Sequence, residues 1–123
     1  MKSLKEYVEK GLFYKSVVED GSDIIFIVDY EGEILYHNDS VEETLGYNSN
    51  SLVGKVFFDL ILPETLDKFK TQYKTSLAKR FNESVEFQFL CKDNSYKYLE
   101  FNSINLKHKE NIDGLILDCR DIT

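Results

Sequence analysis

Residues 24–47 read IIFIVDYEGEILYHNDSVEETLGY. Two apolar runs of strand length, Ile24 to Val28 and Glu33 to His37, flank Asp29-Tyr30-Glu31-Gly32. This is a β-hairpin signal, because Gly takes the positive φ of a tight reversal and Asp hydrogen-bonds its own backbone. Past Asn38 the period changes. Val41, Thr44 and Leu45 recur at helical spacing until Gly46 ends the run, and Asn38, Asp39 or Ser40 can cap that helix. Every position from Ile24 to Val28 is apolar, whereas a strand with one wet face would alternate. The first strand is therefore expected at the centre of a sheet with cover on both sides, which makes Asp29, Gly32 and Asn38 structural pins rather than site residues.

Working outward, residues 1–22 read as an amphipathic helix with the stripe Leu4, Val8, Leu12 and Val17, bent or divided at Gly11. That stripe suits either a cap on the domain's own sheet or a dimerisation surface, and residues 23–123 form the domain proper. Asn48 to Ser51 offer a further cap, Val56 to Leu62 are too apolar for a surface loop, and Pro63 stands at the favoured first position of a helix. In that helix Leu66, Phe69, Tyr73 and Leu77 share one face. From Ser84 the period becomes two: Val85, Phe87, Phe89 and Cys91 alternate with Glu86, Gln88 and Leu90. A turn at Lys92 to Ser95, with Asn94 suited to a left-handed conformation, leads into a strand from Tyr96 to His108. After a turn at Lys109 to Asn111, a last strand runs from Ile112 to Arg120, apolar throughout Leu115-Ile116-Leu117. The expected architecture is α+β. Its five-stranded antiparallel sheet has the order 2-1-5-4-3, with helices on one face and an N-terminal capping helix.

At 123 residues the chain is one domain, and with 42% hydrophobic residues, nine Phe and eight Tyr it has material for a core without disulfides or metal. A net charge of −7 argues against nucleic acid and against direct contact with an anionic membrane. Cys91 and Cys119 lack the spacing of a zinc or redox pair and lie in apolar runs, as buried free thiols of a reducing compartment do. No apolar run approaches the ~20 residues that span a bilayer, and the N-terminus is too charged for a signal peptide. A cytoplasmic location is expected, with any membrane anchor elsewhere in a longer parent chain.

The sequence has no GxSxG, no HExxH and no phosphate-cradling Gly-rich loop, so no enzyme is read in this segment. Glu42-Glu43 and Glu19-Asp20 read as solvated helix faces, and His37 and His108 stand without co-ligands, so no metal site is expected. Phe57, Phe58, Phe69, Tyr73, Phe87, Phe89, Phe101 and Ser103 should converge between helices and sheet. They form either a filled core or a site where Ser103, with Tyr73 or Asn105, orients a small apolar or carboxylate ligand.

From Ser16 to Thr123 the chain resembles a PAS domain. The resemblance rests on an ordered set: Asp29 and Gly32, Ile34 and Asn38, Leu45-Gly46-Tyr47, Leu52-Val53-Gly54-Lys55, and Asp59-Leu60-Ile61 with Pro63-Glu64. It ends in Lys92-Asp93-Asn94-Ser95 and Asp121-Ile122-Thr123. Asn94 stands where the family usually has Gly, Leu62 where a His commonly precedes the Pro, and Tyr98, where Trp is frequent, keeps an aromatic anchor. The resemblance implies a sensory module of a signalling protein, with Asp121 and Thr123 at the junction to an output domain, and the chain is expected to be an excised input domain. The expected output is a histidine kinase, with a diguanylate cyclase next, and the expected partners are that domain and a second copy in a homodimer. The alternative is a ligand-free dimerisation module. Residues 51–60 lack the cysteine of flavin-adduct members, and Pro63 to Arg80 lack the axial His of haem-binding ones, so no cofactor is expected.

Overall fold

The computed structural model describes residues 3–10, 23–78, 85–107 and 112–123. The order is α1 (Leu4–Glu9), β1 (Ile24–Val28), β2 (Ile34–His37), α2 (Asp39–Leu45), a 3-10 turn (Phe57–Leu60), α3 (Pro63–Ala78), β3 (Val85–Leu90), β4 (Tyr96–Asn105) and β5 (Leu115–Asp121). The strands form one sheet in the order β2-β1-β5-β4-β3. Neighbours in it run antiparallel throughout. This is the expected topology: β1 pairs with β5 from Ile24↔Cys119 to Val28↔Leu115.

Alternation sends the two faces of the sheet into two separate cores. On the inner face Ile24, Phe26 and Val28 join Leu115, Leu117 and Cys119 beneath α2, the 3-10 turn and α3. On the outer face Ile25, Ile27 and Ile116 meet Leu4 and Tyr7 of α1. All five β1 residues are buried. A bulge between Ile27 and Val28 makes Ile27 face Tyr36 and Val28 face Ile34. The extra residue lets both Leu35 and Tyr36 pack against the outer cluster.

The hairpin turn is held by Asp29, whose Oδ1 accepts from the N–H groups of Glu31 (3.0 Å) and Glu33 (2.9 Å). Gly32 has φ +89°, and a Cβ there would lie 2.7 Å from the Phe58 ring. Asn38 occupies the N-cap position of α2 without a side-chain cap bond. Its amide is used elsewhere: Oδ1 accepts from Ile25 N–H (3.0 Å) and Nδ2 donates to Asp23 O (2.9 Å). Competition from a buried strand N–H explains the difference from the capping expectation, because an unpaired N–H inside costs more than one at a helix end.

The main departures from the sequence reading are two strand ends, while α1 is described only as far as the expected break at Gly11. The described part of α1 is six residues long, capped by Ser3 Oγ, which accepts from Glu6 N–H at 3.1 Å. Gly11, Leu12 and Val17 lie outside the described residues. β4 ends at Asn105 rather than His108, and β5 starts at Leu115 rather than Ile112. Between them Leu106 N–H donates to Gly114 O at 2.9 Å, and a Cβ on Gly114 would sit 2.7 Å from Leu4. His108 and the turn at 109–111 also lie outside the described residues.

Asn38→Ala is expected to lower stability by about 1–3 kcal/mol, read as a fall in the urea midpoint, because it strands the Ile25 N–H. Gly32→Ala should cost a comparable amount through its positive φ and its contact with Phe58. A midpoint unchanged in either variant contradicts the assigned pins.

Candidate functional site

Between sheet and helices the aromatic residues come together as one cluster. The period of α3 places Phe69 and Tyr73 on its buried face, the 3-10 turn supplies Phe57 and Phe58, and the strands supply Phe26, Phe87, Phe89 and Phe101. Phe69 is the hub, with ring centroids 4.5 Å from Phe101, 4.8 Å from Phe87 and 5.5 Å from Phe57. Phe57 in turn lies 5.0 Å from Phe26 and 5.1 Å from Phe89. These are contact separations for rings. In this conformation the compartment is occupied by its own side chains, and Phe58, half-buried, stands at its margin 4.9 Å from Tyr73.

The polar end of the compartment is already bonded. Tyr73 donates its hydroxyl to Asp29 O (2.8 Å), and burial, reinforced by the Asp29 charge, pushes its ionisation upward. Tyr30 OH donates to Asn105 Oδ1 (2.9 Å), which also accepts from Lys107 N–H (3.0 Å), while Asn105 Nδ2 donates to Leu77 O (3.2 Å). Tyr73 and Asn105, read from the sequence as ligand-orienting groups, thus tie the hairpin turn, α3 and β4 together. Ser103 is half-buried on β4 opposite Leu117. A cleft of about 220 Å³ opens between α3 and the edge strand β3, lined by Thr65, Lys68, Gln88 and Phe87, so it reaches a ring of the central cluster.

Two other groups bear on the inner face. His37 Nε2 accepts from Leu52 N–H at 3.2 Å, which places the ring proton of the neutral form on Nδ1, and burial pushes its basicity down. Cys91 and Cys119 are free and buried, and burial raises both thiols above their ordinary value. Among the described residues no group of three or more His, Cys, Asp or Glu could hold a metal ion, and no helix is long and apolar enough to cross a membrane.

The far end of β5 is tied to β4. Asp121 Oδ1 accepts from Thr123 N–H (3.0 Å), Thr123 Oγ1 accepts from Tyr98 N–H (3.1 Å), and Ile122 N–H donates to Tyr98 O (2.9 Å). Asp121 also faces Lys97 at 3.6 Å, and its carboxyl is held below the ordinary range chiefly by the bonds from Thr123. Tyr98 is an anchor through its backbone, since its side chain is 50% exposed. This corrects the reading of its ring as the anchor. Of the stripe read for dimerisation, Leu4 is buried and Val8 half-buried on the domain's own sheet. The sequence reading missed Tyr7 in that contact, although Ser3-Leu-Lys-Glu6 is a capping-box signal that sets the helix phase.

The fold and compartment define the class: a small α+β module with an aromatic compartment between sheet and helices and the end of its last strand tied to the neighbouring strand. The chain belongs to the PAS domain family, whose sequence profile matches residues 22–123. PAS domains are generally sensory, non-catalytic modules. No curated protein matches the sequence. Among solved structures, the PAS domain of a protein from Colwellia psychrerythraea is similar at TM-score 0.73 and 20% identity, covering 94% of this chain and 96% of that one. The PAS domain of an HTR-like protein from Haloarcula marismortui is similar at 0.71 and 21%, covering 96% of each. The PAS domain of the quorum-sensing receptor RpfR from Cronobacter turicensis, solved in complex with BDSF, is similar at 0.66 and 23%, covering 87% of this chain and all of that one (100%).

Phe69→Ala is expected to lower stability by about 3–5 kcal/mol, because it empties the hub of the ring cluster; a loss below 1 kcal/mol means that the cluster does not depend on it. Thr123→Ala should accelerate hydrogen exchange at the Ile122 and Tyr98 amides while changing global stability by about 1 kcal/mol or less. Exchange as slow as in the parent would remove Thr123 from the tie.

Proposed function

We propose that this chain is the input domain of a signalling protein, binding a small apolar or carboxylate ligand in the compartment around Phe69, Phe87 and Phe101. The observation that carries this reading is the aromatic compartment with a cleft of about 220 Å³ running up to Phe87. A ligand admitted there displaces rings rather than filling a preformed hole, so binding necessarily moves α3 or the strands. The ligand-bound RpfR domains, one with BDSF and one with C12:0, support the reading by likeness of fold. The cleft lining carries Lys68 together with Glu64 and Glu86, so its charge favours the apolar ligand over the carboxylate. Movement of β4 and β5 then reaches Asp121 and Thr123, and through them a following output domain, a histidine kinase first and a diguanylate cyclase second. No resident cofactor is part of this reading, and the location proposed is cytoplasmic.

A second reading is a homodimer without ligand. It draws on the half of the outer face that lies beyond α1, where Tyr98 (50%), Tyr96 (38%) and Ile122 (38%) are exposed. The two readings separate in a single set of measurements. Native mass spectrometry of the purified protein, together with melting shifts against a library of aliphatic acids and neutral metabolites, should show a retained or stabilising ligand. That ligand should be lost in Phe101→Ala/Ser103→Ala. No bound mass and no melting shift with any compound overturns the ligand reading. A sedimentation mass of two chains that Tyr98→Glu reduces to one supports the dimer, and a monomer in the parent protein removes it.

A further inference from the structure

Asp118 lies on the outer face of β5, opposite Ile25 of β1 and Asn102 of β4. Extending the β1–β5 register one pair beyond Ile24↔Cys119 sets Asp23 opposite Arg120 and on the same face as Ile25. Asp23 and Asp118 are therefore diagonal neighbours across two central strands, a placement that brings side chains within reach. The Asp23 carboxyl lies close enough to Asp118 to act on its proton affinity. Oδ1 of Asp118 is buried and has no donor among the described residues. A buried acceptor without a donor needs a proton in place.

The surrounding charges do not supply one. Arg120, opposite Asp23, is engaged with Glu100 of β4. Asn102 is exposed. On α1, Lys10 pairs with Glu6 at 2.8 Å and Lys5 faces Glu9 at 4.0 Å, so its cations are matched within the helix. Lys15, Glu19 and Asp20, in the chain leading to β1, lie outside the described residues.

We propose that Asp23 and Asp118 share one proton, and that this proton clamps the start of β1, where the chain arrives from α1, to β5. Asp23 is then gripped twice, by its side chain through the proton and by its carbonyl through Asn38 Nδ2. A proton between two carboxyl oxygens makes a short, strong bond, and removing it leaves two like charges side by side. Burial, with the Asp23 carboxyl beside it, pushes Asp118 up to about 7 against the opposing charge of Arg120. Deprotonation thus falls in the neutral range and acts on the outer face, away from the ligand compartment. It gives the domain an input that does not depend on the ligand reading.

The sign follows from the direction of the shift. Asp118 keeps its proton in the folded chain up to about 7, while the unfolded chain releases it near the ordinary 3.8. Stability from the clamp is complete below about 4, declines as pH rises to about 7, and is level above that.

The test uses the whole 123-residue chain with the aspartate carboxyl carbons labelled, titrated by NMR from pH 4 to 9. In the parent protein an aspartate signal should titrate with a midpoint near 7, and in Asp23→Asn that midpoint should fall by at least one unit. If every aspartate titrates below pH 5, or if Asp23→Asn leaves the high midpoint in place, the shared proton is excluded. Hydrogen exchange at the Ile24 and Ile25 amides, corrected for its intrinsic pH dependence, should be at least threefold faster at pH 8.5 than at pH 6. That ratio should return to one in Asp118→Asn, or in Asp23→Asn where the former does not fold. Equal exchange at both pH values in the parent overturns the clamp.

Discussion

The pairing of β1 with β5 is the constraint on which the other features rest. Both strands are hydrogen-bonded on both edges, and their residues alternate between two cores, so neither face of the sheet can be rearranged without the other responding. Phe26 and Leu117 face the aromatic compartment, while their neighbours Ile25 and Ile116 face α1. Antiparallel pairing in register fixes which residue goes to which side, because a slip of one position would turn every side chain over. Asn38 adds to this by holding Ile25 N–H and Asp23 O at the point where the chain enters the sheet.

The compartment and the strand end are connected through the same elements. Phe101 touches the hub Phe69, and two residues away along β4 Leu99 pairs with Asp121. Tyr98, next to Leu99, donates its N–H to Thr123 Oγ1 and accepts at its carbonyl from Ile122 N–H. A ring displaced in the compartment therefore acts on a strand that carries the terminal tie only a few residues on. The bonded network of Tyr30, Tyr73 and Asn105 closes the opposite end, at the hairpin turn.

Much of this was legible because period and burial act on every residue of an element. Five consecutive apolar residues in Ile24 to Val28 announced a strand covered on both sides, and the two-residue alternation from Val85 announced the inner face. The hairpins at the two ends of the chain, with the doubly apolar first and last strands paired at the centre, supplied the order of the strands. What was not legible depends on competition between partners. Nothing local in Asn38 says that it will serve a strand instead of its own helix, and nothing in Tyr73 or Asn105 says that their polar atoms are satisfied by the hairpin and α3. The place of Tyr7 on the buried face of α1 was missed because the four-residue spacing Leu4, Val8, Leu12 was followed and the three-residue step from Leu4 to Tyr7 was not. Asp118 was invisible for another reason: a carboxylate in an otherwise apolar strand looks solvated until the register places a second carboxylate beside it.

A buried histidine and a half-buried aspartate sit near the central pair of strands, on opposite faces, and their linkages have opposite signs. His37 is on the inner side with Phe26, and burial lowers its basicity from an ordinary 6.5, so the stability it permits is present above that value and lost as pH falls below it. Asp118 is on the outer side and loses its contribution as pH rises toward about 7. Below about 6.5 the two slopes oppose each other in the total, and the net stability changes less than the larger of them would cause alone. The faces nevertheless change in opposite directions, the inner one firming as His37 becomes neutral while the outer one loosens at Asp23. Because β1 is paired with both β2 and β5, the two titrations act on the same strands from opposite faces.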